Sequence, residues 1–282
     1  MAIRVTCGCG ASYGLRDELA GTDVLCPQCG AQLHVAAAGP FERDKFLLRQ
    51  TFLAISEKYY VWDEQGRVLL YIERPAHFWR NFSAILAGVA AAIVAGLLIG
   101  IAIGRLSEAA GVIAGILAGV TALVAVATAL SKKRHVTFYR DDTKQQPLLE
   151  ILQDKKFMPI NATYTVNDAT GATIARLRKN HLYNFFRKRW YCCGADGAVL
   201  CVAKEDSIML SLLRRLFGPL FGALRTNFII LEGTGDDLIG EFNRKFTILD
   251  RYVLDMSADA QGRLDRRVAL ALGVMLDTGE RR

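Results

Sequence analysis

Histidine is scarce in this 282-residue chain. The four present, His34, His77, His135 and His181, have no Cys, Ser or carboxylate companion at a spacing that reads as a catalytic triad. There is no P-loop, no G-x-S-x-G elbow and no H-E-x-x-H helix. Gly233-Thr234-Gly235 superficially suggests a phosphate cradle, but Asp236 and Asp237 follow and would repel phosphate, so it reads as a hairpin turn. Asp154, Glu205 and Asp250 fall at expected strand ends and turns, as solvated carboxylates usually do. These absences point to a non-enzymatic protein. No base-reading motif accompanies the basic residues, which leaves nucleic acid without support as a partner. Met1 to Ala11 lacks the apolar core of a signal peptide, so the first apolar helix is expected to be the targeting signal.

Charge is nearly missing from Phe82 to Leu130, an Ala/Gly/Ile/Val/Leu-rich run broken only by Arg105-Leu106-Ser107-Glu108. Its halves, Ser83 to Gly104 and Ala109 to Leu130, each supply about 22 residues, enough at ~1.5 Å per residue to cross a hydrocarbon core of ~30 Å. They read as a hairpin of two membrane helices. Gly96, Gly100 and Gly104 mirror Gly119, Gly115 and Gly111 about the turn, which predicts close backbone approach, tightest at the loop end. Arg74, His77 and Arg80 precede the hairpin and Lys132, Lys133, Arg134 and His135 follow it. Both flanks are therefore expected in the cytoplasm, with the hairpin integral to the inner membrane of a bacterium. The net charge of +7 is concentrated beside the hairpin and in Arg187-Lys188-Arg189, Arg214-Arg215 and Arg266-Arg267, and anionic phospholipid is the expected partner.

Seven cysteines divide into two groups. Cys7-Gly8-Cys9-Gly10 and Cys26-Pro27-Gln28-Cys29-Gly30, with sixteen residues between Cys9 and Cys26, have zinc-ribbon spacing: Cys7, Cys9, Cys26 and Cys29 are expected to hold one Zn²⁺. A segment this short needs such a ligand to fold. The second knuckle closely resembles those of the short zinc ribbons that begin many bacterial membrane and regulatory proteins. The first has one residue between its cysteines instead of two, which leaves His34 as a substitute ligand. Four protein ligands leave no open position for substrate, so the ribbon suits a protein contact. Cys192, Cys193 and Cys201 lie in predicted strands and read as core thiols.

After the linker at residues 36–40, the pattern from Phe46 has period two. Five hairpins follow from alternation and turn residues: 58–63 with 67–73, 136–140 with 148–152, 162–166 with 173–177, 189–193 with 199–203, and 227–231 with 238–242. They predict an antiparallel barrel or sandwich formed by residues 41–81 and 131–282, with 82–130 inserted in it and the ribbon at 1–35. Ser207 to Phe217 reads as a helix, either covering the barrel or lying in the interface. Leu264 to Leu276 is apolar on every face and too short to span a bilayer, so it is expected inside a closed barrel.

Phe52 to Pro75 (FLAISEKYYVWDEQGRVLLYIERP), the repeated aromatic-strand and Asp-Gly-turn units, and Lys245 to Leu276 together resemble the phospholipid scramblase and LURP-one-related group, which shares the tubby C-terminal-like fold. The resemblance implies a mainly β protein, a twelve-stranded barrel around an apolar C-terminal helix, with phospholipid as ligand. It departs from that pattern at the acidic calcium segment, where Leu249-Asp250-Arg251-Tyr252 retains one Asp beside an Arg, and it has no cysteine-rich palmitoylation run. By charge and position, Arg187, Lys188, Arg189, Lys132, Lys133 and Arg134 are the expected lipid contacts. Scrambling is a stronger claim, because flipping headgroups needs a hydrophilic path and the apolar run offers no polar stripe. The competing expectation is a scaffold whose ribbon recruits a protein or nucleic-acid partner to the membrane.

Overall fold

A computed structural model describes residues 2–16, 19, 22–34, 39–50, 57–185, 188–205, 227–245 and 251–279. The chain divides into two compact units, Met1–Asp44 and Lys45–Arg282. The helix expected at Ser207 to Phe217 and the Leu249-Asp250 pair lie outside the described residues.

The first unit consists of two short hairpins, β1 (Ala2–Thr6) with β2 (Ser12–Arg16), and β3 (Asp23–Leu25) with β4 (Gln32–His34). A cysteine-bearing turn tips each hairpin.

The second unit is a closed twelve-stranded antiparallel barrel. Its strands are β5 (Lys45–Gln50), β6 (Glu57–Trp62), β7 (Val68–Arg74), β8 (Val136–Tyr139), β9 (Pro147–Gln153), β10 (Asn161–Asp168), β11 (Thr173–Asn180), β12 (Arg189–Cys193), β13 (Val199–Glu205), β14 (Phe228–Glu232), β15 (Leu238–Lys245) and β16 (Arg251–Asp255). Each strand pairs with the next, and β16 closes on β5 with Leu254 opposite Phe46. Closure removes the sheet edges that would otherwise invite pairing with another chain.

All five predicted hairpins form. Three share one turn, in which Gly66, Gly171 and Gly197 adopt positive φ beside a one-residue bulge in the strand after the turn, at Leu69, Ile174 and Leu200. In each of these turns an aspartate, Asp63, Asp168 or Asp196, also accepts a hydrogen bond from an amide of its own loop. Cys192, Cys193 and Cys201 are buried, and Cys192 pairs with Cys201 across β12 and β13. The Cys201 thiol and burial together push the Cys192 thiol well up.

Helix α1 (Phe78–Gly104) and helix α2 (Glu108–Leu130) fall between β7 and β8, and those two strands pair with each other, Tyr71 opposite Tyr139. The last helix, α3 (Arg266–Thr278), is buried from Val268 to Thr278. Strand residues from round the barrel reach it: Tyr59 of β6, Arg74 of β7, Lys179 of β11 and Tyr252 of β16. Gly273 leaves room for the Phe242 ring, which would lie 3.3 Å from a methyl group added there. The helix thus fills the barrel, starting two residues later than its apolar pattern predicted, with Asp265 accepting from the Arg267 amide at its start.

Candidate metal centre and helical hairpin

Both cysteine turns are built alike. The Cys7 amide donates to Ala11 O and the Cys26 amide to Ala31 O, each at 2.8 Å, closing each loop where the strands begin. Within them, Gly10 N donates to Cys7 O across three residues, whereas Gly30 N donates to Cys26 O across four. The missing residue of the first knuckle is therefore absorbed by a tighter turn. In both, the second cysteine stands directly before a glycine of positive φ, 89° at Gly10 and 68° at Gly30.

This backbone brings the four sulfurs within 4.8 Å of one another. Cys7 Sγ lies 3.5 Å from Cys29 Sγ, and Cys9 Sγ lies 3.8 Å from Cys26 Sγ. A tetrahedral ion at ~2.3 Å from four sulfurs has edges of ~3.8 Å, so the cluster has the size needed to hold one metal ion. The His34 side chain lies outside the described residues.

One residue of this centre had not been singled out from its sequence. Tyr13 Oη lies 3.4 Å from Cys26 Sγ. Its hydroxyl draws the Cys26 thiol down, burial opposes it, and the Cys29 and Gln28 amides add to it, for a result of about 6. Cys7 moves the other way: the Cys9 amide lowers it, but the Cys29 thiol, burial and the remaining cysteines outweigh that and push it up to about 12. Cys26 is thus the readiest thiolate and Cys7 the most resistant, and because a metal ion binds thiolate and not thiol, binding is coupled to pH.

Helices α1 and α2, of 27 and 23 residues, are long and apolar enough to span a membrane. Only 11% of each apolar window is buried, which sets them apart from α3 as core helices. Their contact follows the predicted glycines. A methyl at Gly115 would lie 3.2 Å from Gly100 Cα, and one at Gly119 would lie 3.9 Å from Gly96 Cα. The small-residue row also continues to the base, where a methyl at Gly88 would lie 2.9 Å from Leu123 O. Tight packing therefore extends beyond the loop end; Ala84, Gly88 and Ala92 continue the four-residue spacing and were the signal for it.

The base of the hairpin is tied to the barrel. Lys132 N donates to Asn81 Oδ1 at 3.0 Å, and Arg134 N to Gln153 Oε1 at 3.0 Å. The terminal carbonyls of α2 receive Lys156 Nζ at 2.6 Å on Ala129 O and Arg80 Nε at 3.4 Å on Leu130 O, cations at the negative end of the helix dipole.

Just inside this barrel mouth lies the end of α3. Arg74 Nη1 donates to Thr278 O at 2.7 Å and to Glu57 Oε2 at 3.2 Å, and Glu57 also faces Arg134 at 3.7 Å. Lys179 caps Gly279 O, and Asp277 accepts from Tyr59 and, at 2.5 Å, from Tyr252. Glu57, Tyr59 and Arg74 share the β6–β7 hairpin, but Arg134, Lys179, Tyr252 and Asp277 come from distant parts of the chain, and nothing in local spacing announced that they meet.

The expected lipid-contact residues are spread over this same end. Lys132 is exposed, and Arg189 is exposed at the start of β12 with its guanidinium 3.3 Å from Tyr191 Oη. Lys133 Nζ is 2.6 Å from Asp154 O, and Arg134 is occupied by Glu57. Burial and the neighbouring Arg74 lower the Arg134 guanidinium, opposed by Glu57. Lys188 is half-buried, and Arg187 lies outside the described residues. Because neighbouring strands are antiparallel, connections alternate between the barrel's two ends. At the hairpin end, apart from Glu108 at the far tip of the helices, Asp154 is the sole carboxylate in the connections among the described residues, against Arg80, Lys132, Lys133, Arg134, Lys155 and Lys156. The opposite turns carry Asp63, Glu64, Asp141, Asp142, Asp168, Asp196, Asp236 and Asp237 against Arg67, Arg140 and Lys144. Among the described connections the basic excess is therefore at the hairpin end.

Compared with known proteins, the chain matches no family model and no curated protein.

Proposed function

We propose that this chain is a non-enzymatic integral membrane protein: α1 and α2 anchor it as an inserted hairpin, and the barrel, held in the cytoplasm, engages anionic phospholipid. The observation that carries the reading is the conjunction at one end of the barrel of two apolar helices and the basic connections. Basic residues within a Debye length of an anionic leaflet each contribute on the order of 1 kcal/mol, and positive flanks favour the cytoplasmic side. The resemblance to the scramblase and LURP-one-related group, with a tubby C-terminal-like barrel, agrees with the closed twelve-stranded wall and its enclosed helix. Lipid transfer between leaflets is not included in the proposal. Beyond Ser83 the apolar helices carry two hydroxyl side chains, Thr121 and Thr128, and Thr121 is bonded to Leu117 O within α2. For the cysteine cluster we propose zinc, because four clustered thiolates suit a tetrahedral Zn²⁺.

The test uses the full chain. Alkaline carbonate should leave it in the membrane pellet, and its release would refute the anchor. In nanodiscs cut directly from the membrane, phosphatidylglycerol should be enriched around the protein relative to the bulk lipid; an unchanged ratio would refute the lipid reading. A second reading rests on the ribbon, whose four ligands leave no open metal position: it would recruit a protein or nucleic-acid partner. Cys26→Ser with Cys29→Ser should then alter the set of proteins recovered with the chain, and an unchanged set would remove this reading.

A further inference from the structure

Outside the helical hairpin, the most exposed large apolar side chains among the barrel's described residues gather at one place. Phe157 and Ile160, between β9 and β10, and Leu182 and Tyr183, after β11, are 50–76% exposed, whereas Val68, Leu200 and Leu238 at the other end reach at most 47%. These two loops belong to the hairpin end and are joined to each other, His181 N donating to Ile160 O at 2.7 Å. The first loop is also pinned in height. Lys156 Nζ sits on Ala129 O at 2.6 Å, so Phe157 follows directly on a residue bonded to the last turn of α2. On the other helix the same level carries Phe78 and Trp79, exposed and in edge-to-face contact with ring centroids 5.5 Å apart. Helix α1 at 27 residues is ~40 Å long, about 10 Å more than a hydrocarbon core requires, so its first turns extend into the headgroup layer where such aromatics anchor.

From this the geometry points to a second membrane contact: the β9–β10 and β11–β12 loops lie in the bilayer interface. Phe157, Ile160, Leu182 and Tyr183 enter the boundary between headgroups and acyl chains, and Lys155 and Lys156 stand among the phosphates. The barrel then rests with its hairpin end flush on the membrane, not on a tether. The occupant is a lipid surface because the patch is continuous with the hairpin base and edged by cations with Asp154 as the sole nearby carboxylate of the loops, the composition of an interfacial segment. The inference rests on the membrane anchoring proposed above.

The full chain is reconstituted in vesicles of phosphatidylcholine and phosphatidylglycerol containing a phospholipid with a diazirine near the glycerol end of one acyl chain. It is illuminated, and adducts are mapped by mass spectrometry. Adducts are expected on α1, on α2 and on both loops, the loops exceeding the Val68 and Leu238 turns by on the order of tenfold. Tenfold is about 1.4 kcal/mol, less than full burial of one of these side chains contributes. In the variant Phe157→Ser with Leu182→Ser, loop adducts should fall by a similar factor while those on α1 and α2 stay. Adducts on α1 and α2 without the loops would overturn this inference and leave the anchor intact. Adducts on neither helix would remove the anchor and this inference together. Loop labelling no higher than that of the opposite turns, or unaffected by the double substitution, would show that the patch does not contact lipid. Shielding of the loops from a water-soluble carbene without lipid adducts would assign the patch to a second copy instead.

Discussion

Gly104 and Gly111 are mirror partners about the helical turn, yet replacing each by alanine should have unequal effects. A methyl added at Gly104 comes no closer than 4.0 Å to Gly111 Cα, which is ordinary contact. A methyl at Gly111 would lie 2.6 Å from Gly104 N and 2.7 Å from Gly100 O. These are backbone atoms, so no rotamer change relieves them, and because Gly104 Cα is nearer still, α1 and α2 must separate by ~1 Å to restore a 3.4 Å contact. Overpacking of this kind typically costs ~1–3 kcal/mol, a factor of roughly 5 to 150 in the closed-to-open ratio of the hairpin. Any gain in helix propensity from Gly to Ala is similar at the two sites, because each occupies an end turn of its helix. Unfolding of the full chain by increasing SDS in mixed micelles, followed by circular dichroism and by protease access at residues 105–108, should place Gly111→Ala well below the parent and Gly104→Ala close to it. Equal midpoints for the two variants, or the reverse order, would refute the backbone-contact argument.

Other consequences are open to direct measurement. Protein purified under reducing conditions should contain zinc in equal amount to chain, and Cys26→Ser should lose it together with the protease resistance of residues 2–34, as read by elemental analysis and limited proteolysis; full metal content in that variant would exclude the assigned ligand set. Asp277→Ala should destabilise the barrel by roughly 2–6 kcal/mol, since Tyr59 and Tyr252 would each lose a buried acceptor, and chemical denaturation in detergent measures it. Asp259 is buried: burial raises its carboxyl, but hydrogen bonds from Leu264 N, Arg266 and Arg263 N outweigh this and hold it at about 2, below its usual 3.8. Its folded value being the lower one, its stabilising contribution is complete above pH ~4 and is lost as pH falls toward 2, on the order of 1–2 kcal/mol. Asp259→Asn should flatten the stability profile between pH 4 and 2, and an unchanged slope would count against that network.

The features legible in the sequence are those whose partners lie close along the chain. Each of the five hairpins is a local event, two alternating runs around a turn, and each formed. The helical hairpin and the two cysteine turns are local in the same sense, and even the shortened first knuckle was resolved within Cys7 to Ala11 by its own backbone. What lay beyond the sequence has partners far away. Strands β5 and β16 were not read as a pair because they meet across 200 residues, and their pairing is what closes the barrel. Asp277 carried no signal until Tyr59, 218 residues earlier, was seen to donate to it. The polar barrel mouth is assembled likewise from Glu57, Arg74, Arg134 and Lys179 on four separate segments. Period and spacing determined the elements, because hydrogen bonding and amphipathicity act over a few residues. The enclosure of α3 was legible too, because a helix apolar on every face needs a protein interior. Which strands close the wall, which of their side chains hold the end of α3, and the gathering of basic and apolar loops beside the hairpin were decided only when the sheet joined its ends and gave each connection a side.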